Sequence, residues 1–556
     1  MTENNTALPE PGAIRTGGQI LMAALRRNGV DRVFGVPGES FLAALDACRD
    51  HGEALRFITC RHEAPASVMA EAAGKLTGRP GVCFVTRGPG ATHATTGLHT
   101  AFQDSTPMLL LIGQVARDQM DREAFQEIDY RRFLEQVTKW TAEVPSADRL
   151  GEYVGRALRT AMAGRPGPVA LALPEDMLSE TAPMPRLKPA EPAPAHAGQD
   201  QMERLVAALD EAERPFLLVG GSGWTAAART ALQDFAERNH LPVAVSFRCQ
   251  DRLDSTSPAY VGDMGIGANP ALVQRMQQSD LLLALGPRLG EMTTGGYRRL
   301  VPPVLDQPFI HVHQGAEELG RVYQPDLAIQ ASPATLLPAL DSVTLTPSRA
   351  RARWCQTARA DLDAWRRPVD NPGTVKLARF WAELGDHIPA ETIICNGAGN
   401  YAAWLHRFYR YRGGVSQLAP TSGAMGYGVP AAISAALHHG DRPVIAAAGD
   451  GCFMMSAMEL ATAAAHRLTI LFLVFDNGQY GTIRMHQEAH YPGRISATGL
   501  TNPDFVAFAE SFAISAEKVA DTDGLLNAVD RWQDRGGPHL IHIPVDPRAI
   551  APGKTL

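Results

Sequence analysis

The sequence predicts an α/β protein made of three doubly wound parallel-sheet domains. Short apolar runs of strand length alternate with helical patterns along most of the chain, and that alternation implies a parallel sheet covered on both faces. Several of the runs stop at a glycine turn, and two stretches without apolar periodicity divide the pattern into three parts of similar size. At 556 residues the chain is too long for one core, and a prior of about 150 residues per domain leads to three or four.

The first domain is expected over residues 1–180. Gly17 to Asn28 is amphipathic, and Asp31 to Val36 reads as a strand that runs into Pro37-Gly38-Glu39-Ser40. Phe41 to Asp50 is helical again. Strands follow at Leu55–Cys60, Val82–Thr86 and Met108–Ile112, separated by a helix from about Ala64 to Lys75 and another after Gly90. Residues 181–198, rich in proline and alanine, read as a semi-extended linker. A middle domain over 199–345 has strands at Pro215–Val219, Leu241–Ser246, Leu281–Leu285 and Phe309–Val312. Residues 346–373 form a second connector, polar with helical character, and the third domain fills 374–556.

Composition excludes several classes of function. The net charge is −7 with no long basic run, which gives neither nucleic acid nor an anionic membrane a surface to bind. The apolar stretches are far shorter than the roughly 20 residues of a membrane helix. The first thirteen residues show no secretory signal. Seven scattered cysteines, with no CxxC pair, form neither a disulfide framework nor a zinc site, so the expected compartment is the cytoplasm.

The chemistry centres on Arg442 to Asn477. Val444 to Ala448 breaks at Gly449-Asp450-Gly451, a helical pattern follows, and Leu468 to Phe475 ends in Asp476-Asn477. Parallel strands joined by a right-handed crossover bring Asp450 and Asn477 to the same carboxyl edge, where α/β folds bind ligands. A carboxylate, an amide oxygen and a loop carbonyl just beyond are hard ligands of the kind Mg2+ takes. The glycines let backbone N–H groups of the turn approach an anion. A plain Asp-Gly turn after a buried strand is the alternative reading. In the first domain, Glu63 lies between a strand end and a helix start, with Pro65 in the first turn; an ordinary helix cap is the alternative there.

The Asp450-to-Asn477 spacing, 477 − 450 = 27, resembles the diphosphate and Mg2+ motif of thiamine diphosphate (ThDP) enzymes. The resemblance implies metal ligation by Asp450, Asn477 and the Gln479 carbonyl, and cofactor contact through Gly451 and Cys452. The motif usually ends in two asparagines; here the first is Asp476. The run RHEAPASVMAEAAGKLTGRPGV resembles the segment bearing the catalytic glutamate of these enzymes, which assigns that role to Glu63. Its carboxyl would bond the cofactor's pyrimidine and promote the imino tautomer that deprotonates C2. Apolar neighbours would raise its pKa and the helix N-terminus would lower it. By the same resemblance, the Gly423 carbonyl and the Met425 side chain meet the two cofactor rings, and Asn400 and Tyr401 meet the diphosphate.

Together these segments resemble the acetolactate synthase (acetohydroxyacid synthase) large-subunit branch over nearly the whole chain. The likeness extends to Arg87-Gly88-Pro89-Gly90-Ala91-Thr92, to Ala124-Phe125-Gln126-Glu127 and to Lys139. It implies a homodimer or homotetramer whose sites lie at the interface, and a place in branched-chain amino acid biosynthesis. Two departures bear on substrate: His486 stands where the synthases carry a tryptophan, and Met292 where they carry an arginine for the substrate carboxylate. Gly38, Glu39, His93, Phe125, Gln126, Lys139 and His486 are the substrate-handling candidates. FAD stays open. Gly221-Ser222-Gly223-Trp224 is a glycine turn, but the flavin-facing run reads Ile266-Gly267-Ala268, and a vestigial or adenine-nucleotide site is the alternative.

The expected activity is a ThDP- and Mg2+-dependent carboligase or decarboxylase. It would add a 2-keto acid, release CO2 and pass the acyl anion equivalent to a second carbonyl compound, an aldehyde or keto acid. The alternatives are another ThDP-dependent C–C lyase or decarboxylase, or a non-catalytic ThDP-binding protein.

Overall fold

The computed structural model of the chain describes residues 8–412 and 414–556. The first seven residues of the expected N-terminal domain lie outside them, and with these most of the stretch read for a secretory signal.

Three six-stranded sheets form, each with every neighbouring pair parallel. The first runs in the spatial order Arg56–Thr59, Arg32–Gly35, Gly81–Val85, Met108–Gln114, Pro168–Pro174, Trp140–Glu143. The middle sheet has Pro215–Val219 and Leu281–Leu285 at its centre, and the last has Val444–Gly449 beside Ile470–Asp476. Chain order departs from spatial order in all three, which is the mark of doubly wound sheets, and the α/β fold class is the one the sequence predicts.

The central strands are buried on both faces, as apolar runs without alternation require. Every residue of Met108–Gln114 and of Pro168–Pro174 is buried. Each Leu or Ile there contributes about 1.5–3 kcal/mol relative to exposure. The helices that cover the first sheet are set by caps: Thr16 and Gln19 form a capping box at Gly17–Arg27, and Gly78 ends Glu63–Thr77 in a left-handed turn at φ 68°.

The chain divides into two compact units. One holds the first sheet, up to Ala193, together with Ile433–His438; the other holds Pro194–Ala432 and His439–Leu556, with the middle and last sheets. The first half of the expected linker is folded structure: Thr181–Pro183 pairs antiparallel with Ile14–Thr16, and Ala182, Met184 and Ala190 are buried in the first core. Strand pairing uses backbone groups and needs no apolar period, so composition alone hid it. The second connector is the helix Arg349–Trp365. Its buried Arg351 donates to the carbonyls of Asn239 and Thr346, and its Leu362 joins the core of the middle sheet.

Candidate active site

In the first unit the carboxyl edge of the sheet gathers most of the predicted residues. Glu63 is the first residue of the helix Glu63–Thr77, and His62 caps that helix by accepting from the Ala64 N–H at 3.0 Å. The Glu63 side chain is 13% exposed and its Oε2 lies 2.9 Å from His93 Nδ1. The His93 ring stacks on His62 at 4.4 Å. A Cβ on Gly90 would stand 3.4 Å from Glu63 Oε1, so that glycine leaves the second carboxyl oxygen room. Glu63 is not the capping residue, because His62 supplies the cap. A carboxyl group with one oxygen on an imidazole and the other beside a glycine is set to exchange a proton with a ring nitrogen.

The same edge carries Gly38 and Glu39, just beyond Arg32–Gly35, and the loops at Gly88 and Gln126. A Cβ at Gly38 would lie 2.5 Å from that of Thr86. Gln126 has φ 66°, its Cβ would lie 2.7 Å from one on Gly88, and Arg87 Nε donates to the Phe125 carbonyl at 3.2 Å. The Phe125 side chain is 77% exposed.

Lys139 stands apart from these residues within its own chain. It precedes Trp140–Glu143 at the amino edge of the sheet, and its Nζ donates to the carbonyls of Thr160 and Ala163 at 2.6 and 2.5 Å. Those carbonyls end the helix Leu150–Met162, where a cation complements the unpaired groups and the helix dipole. Within its chain this lysine is a helix C-terminal cap at the opposite edge from Glu63.

In the second unit, Asp450 opens Asp450–Met454 directly after Val444–Gly449, and Asn477 follows the adjacent strand Ile470–Asp476. Asp450 is 2% exposed. Its Oδ2 accepts from Asn502 Nδ2 at 2.7 Å, and the same amide nitrogen donates to Asp476 Oδ1 at 2.8 Å. Asp476 also takes His542 Nε2 at 2.9 Å and the Gly478 N–H at 3.1 Å. Burial pushes the Asp450 carboxyl up, and the neighbouring Asp476 adds to the rise against the Asn502 hydrogen bond. The Asn477 Oδ1 accepts from the Gln479 N–H at 3.2 Å. Two carboxylates, an amide oxygen and a turn carbonyl in one place are a donor set that fits a hard divalent cation.

The loops expected to meet the diphosphate carry donors that suit an anion. Asn400 starts the helix Asn400–Phe408; its Oδ1 accepts from Thr482 at 2.6 Å, while its buried Nδ2 has no partner. A buried amide donor left unmade is costly and calls for an acceptor. Gly423 has φ 72°, and a Cβ there would meet nothing within 4 Å. Met425 is half-buried, one turn further on.

Further contacts surround the turn. The glycines around Asp450 make room for aromatic rings: a Cβ on Gly449 would lie 3.2 Å from the Tyr401 ring and one on Gly451 2.6 Å from the Tyr480 ring. Tyr401 is 7% exposed, stacks on Phe475 at 6.1 Å, and sets its hydroxyl 3.6 Å from Cys452 Sγ, so it supports the turn from beneath. The Cys452 side chain matters as well as its backbone, because its sulfur accepts from the Gly426 N–H at 3.2 Å and ties the Met425 loop to the Asp450 turn. His486 is exposed on Gly481–His490, its ring 6.3 Å from that of His490.

Sequence reasoning missed Asn502 and His542. Neither lies in a motif, and only the acidic residue at 476 hinted that the site needed further donors.

In the middle sheet, the glycine turn is explained by backbone packing. A Cβ on Gly221 would lie 2.1 Å from the Gly286 carbonyl oxygen, and one on Gly286 2.4 Å from that of Gly220. Trp224 closes the turn by donating to the Gly220 carbonyl at 2.8 Å. Ile266 is 64% exposed, and Met292 is 37% exposed.

Comparison with known proteins gives matches along the whole chain. Family models described as "Thiamine pyrophosphate enzyme, N-terminal TPP binding domain", "central domain" and "C-terminal TPP binding domain" match residues 15–133, 202–340 and 397–543. The chain is 31% identical over 539 residues to the acetolactate synthase isozyme 2 large subunit of Escherichia coli K12, covering 95% of each. It is 32% identical over 549 residues to the acetolactate synthase large subunit of Parasynechococcus marenigrum, covering 95% of this chain and 87% of the relative. The mitochondrial acetolactate synthase catalytic subunit of Saccharomyces cerevisiae is 28% identical over 564 residues, 96% of this chain and 81% of the relative.

Proposed function

This chain belongs to the thiamine diphosphate-dependent enzymes, and from that premise we propose that it is a Mg2+-dependent carboligase or decarboxylase of 2-keto acids, acting in the manner of acetolactate synthase. ThDP, when bound, supplies the nucleophilic carbon and the electron sink. The chain's own residues bind, orient and move protons. Asp450, Asn477 and the Gln479 carbonyl would hold Mg2+, and Asn400 would donate its amide to the diphosphate. Met425 would pack against the bound cofactor, and Glu63 would hold a proton at its carboxyl for exchange with the cofactor's pyrimidine. The single observation that carries the reading is the strand-end pair Asp450 and Asn477 beside the buried, unpartnered Asn400 amide.

The domain limits proposed are 1–180, 199–345 and 374–556, with the stretch from Thr181 to Ala190 packed onto the core of the first domain. The proposed assembly is a homodimer or homotetramer in which the Glu63 segment of one subunit and the Asp450 segment of another complete each site. The proposed compartment is the cytoplasm, and among the described residues no helix is long and apolar enough to cross a membrane. FAD is a further candidate cofactor of the middle domain, although the close approach of Gly221 and Gly286 accounts for those glycines without it.

A second reading has its own support. His486 and the half-exposed Met292 stand where the synthase pattern has a tryptophan and a carboxylate-binding arginine. Another C–C lyase or decarboxylase reaction fits those positions. The deciding experiment incubates the enzyme with pyruvate and a panel of keto acids and aldehydes, with ThDP and Mg2+ and with or without FAD. Acetolactate as main product supports the first reading, and an aldehyde or cleavage product the second. ThDP–Mg2+ at a hundred times Kd should stabilise the parent by about 2.7 kcal/mol and D450A far less. No shift in the parent would sink both readings.

A further inference from the structure

The middle sheet sends one side chain into the base of the cofactor loops. Arg248 follows the strand Val243–Val245 and is 7% exposed, with a left-handed backbone at φ 60°. That conformation is uncommon for a non-glycine residue and persists only where surrounding contacts hold it. Its Nη1 donates to the Pro420 carbonyl at 2.5 Å and its Nη2 to the Gly397 carbonyl at 3.0 Å. The guanidinium also lies 4.9 Å over the Phe247 ring.

Those two carbonyls are the roots of the two loops assigned to the cofactor. The Pro420 oxygen also accepts from the Gly423 N–H at 3.0 Å, which closes the turn that presents Gly423. The Gly397 oxygen also accepts from Asn396 Nδ2 at 2.8 Å, three residues before Asn400. A Cβ on Gly397 would lie 2.6 Å from Cys452 Sγ, so that backbone cannot move toward the Asp450 turn. A planar guanidinium with donors in a fixed fork holds two acceptors at one spacing; a flexible ammonium on a single point does not.

We propose that Arg248 is a positioning residue for cofactor binding, by which a loop of the middle domain sets the spacing between the Gly397–Asn400 loop and the Pro420–Gly423 turn. The inference rests on the assignment of those loops to ThDP. Neighbouring contacts join the same two segments without touching the cofactor loops: the Gln250 N–H donates to Gln417 Oε1 at 2.8 Å, and Asp251 Oδ2 accepts from the N–H groups of Ser416 and Gln417. They supply the control for plain adhesion between segments.

The test is ThDP binding to apo enzyme in saturating Mg2+, by tryptophan fluorescence or calorimetry, with apo melting temperatures beside it. R248M should raise the Kd for ThDP at least tenfold. R248K, which reaches one carbonyl at a time, should raise it threefold or more, while saturating ThDP restores its kcat, so that the loss falls on half-saturation. Q417A should lower the apo melting temperature and leave the Kd within twofold. A Kd within twofold of the parent in R248M overturns the proposal; should that variant not fold, the same result in R248K does so. An equal rise in Q417A overturns it too, because adhesion alone would then explain the effect. If the parent itself binds no ThDP, the cofactor assignment is what fails.

Discussion

Replacing Glu63 by glutamine keeps the shape of the side chain and removes its ability to carry a proton. The cost to the fold follows from its contacts. The charge-assisted bond to His93 at 2.9 Å becomes a neutral one, a loss of about 1 kcal/mol. The carboxylate also leaves the first turn of Glu63–Thr77, at about 0.3–1 kcal/mol. The helix keeps its cap, since His62 supplies it. The variant should therefore fold, less stable by roughly 1–2 kcal/mol. Turnover should fall much further: a positioned acid–base group contributes about 10²–10⁴-fold, or about 3–5 kcal/mol of barrier. Steady-state rates at saturating ThDP and Mg2+, beside a melting curve and a ThDP binding isotherm, separate the two effects. A rate within about threefold of the parent, with normal binding, would refute the assigned role.

Further outcomes follow from particular contacts. N502A removes two hydrogen bonds to carboxylates and should lower apo stability by about 2–4 kcal/mol in chemical denaturation; N502D, which adds a third acid beside Asp450 and Asp476, should be worse at neutral pH. G397A drives a methyl group into Cys452 Sγ and should weaken ThDP binding; C452A in the same background should recover part of the loss. Asp263, half-buried near Arg299, has its carboxyl pushed up to about 7 by desolvation. The folded protein then keeps a proton that the unfolded chain releases above about pH 4, so stability falls as pH rises from 4 to 7. D263N should flatten that slope by on the order of 4 kcal/mol, read as the difference between variant and parent melting temperatures across that range. A parallel pair of curves would show the carboxyl to be ordinary.

The fold was legible because apolar runs such as Val444 to Ala448 and Met108 to Ile112 end close to where the strands do. What was not legible depends on partners distant in sequence. Thr181–Pro183 forms a strand through backbone pairing with Ile14–Thr16, which leaves no hydrophobic trace. Lys139 matched a family position, while its ammonium caps the end of Leu150–Met162, and only the direction of Trp140–Glu143 shows that within its chain it stands at the opposite edge from Glu63. The glycines at 449 and 451 were read as letting backbone N–H groups approach an anion; the structure adds that the Tyr401 and Tyr480 rings pack against them. A motif states which backbone positions lack a side chain; the fold decides what uses the space.

The acid at 476 shows how a small departure from a pattern is absorbed. Placed beside Asp450, it sets two carboxylates in one partly dry site, where like charges raise one another's pKa. Burial opposes charge on Asp476, but the hydrogen bond from His542, joined by the Gly478 N–H and Asn502, more than offsets it and holds that carboxyl below the usual range. Asp450 has only the Asn502 amide and its own turn to set against burial and moves up. The pair is thus asymmetric: the protein favours the charged form of Asp476 and disfavours that of Asp450. His542, 66 positions beyond Asp476, bonds that carboxylate alone and creates the asymmetry, whereas Asn502, 26 positions beyond, bonds both carboxylates.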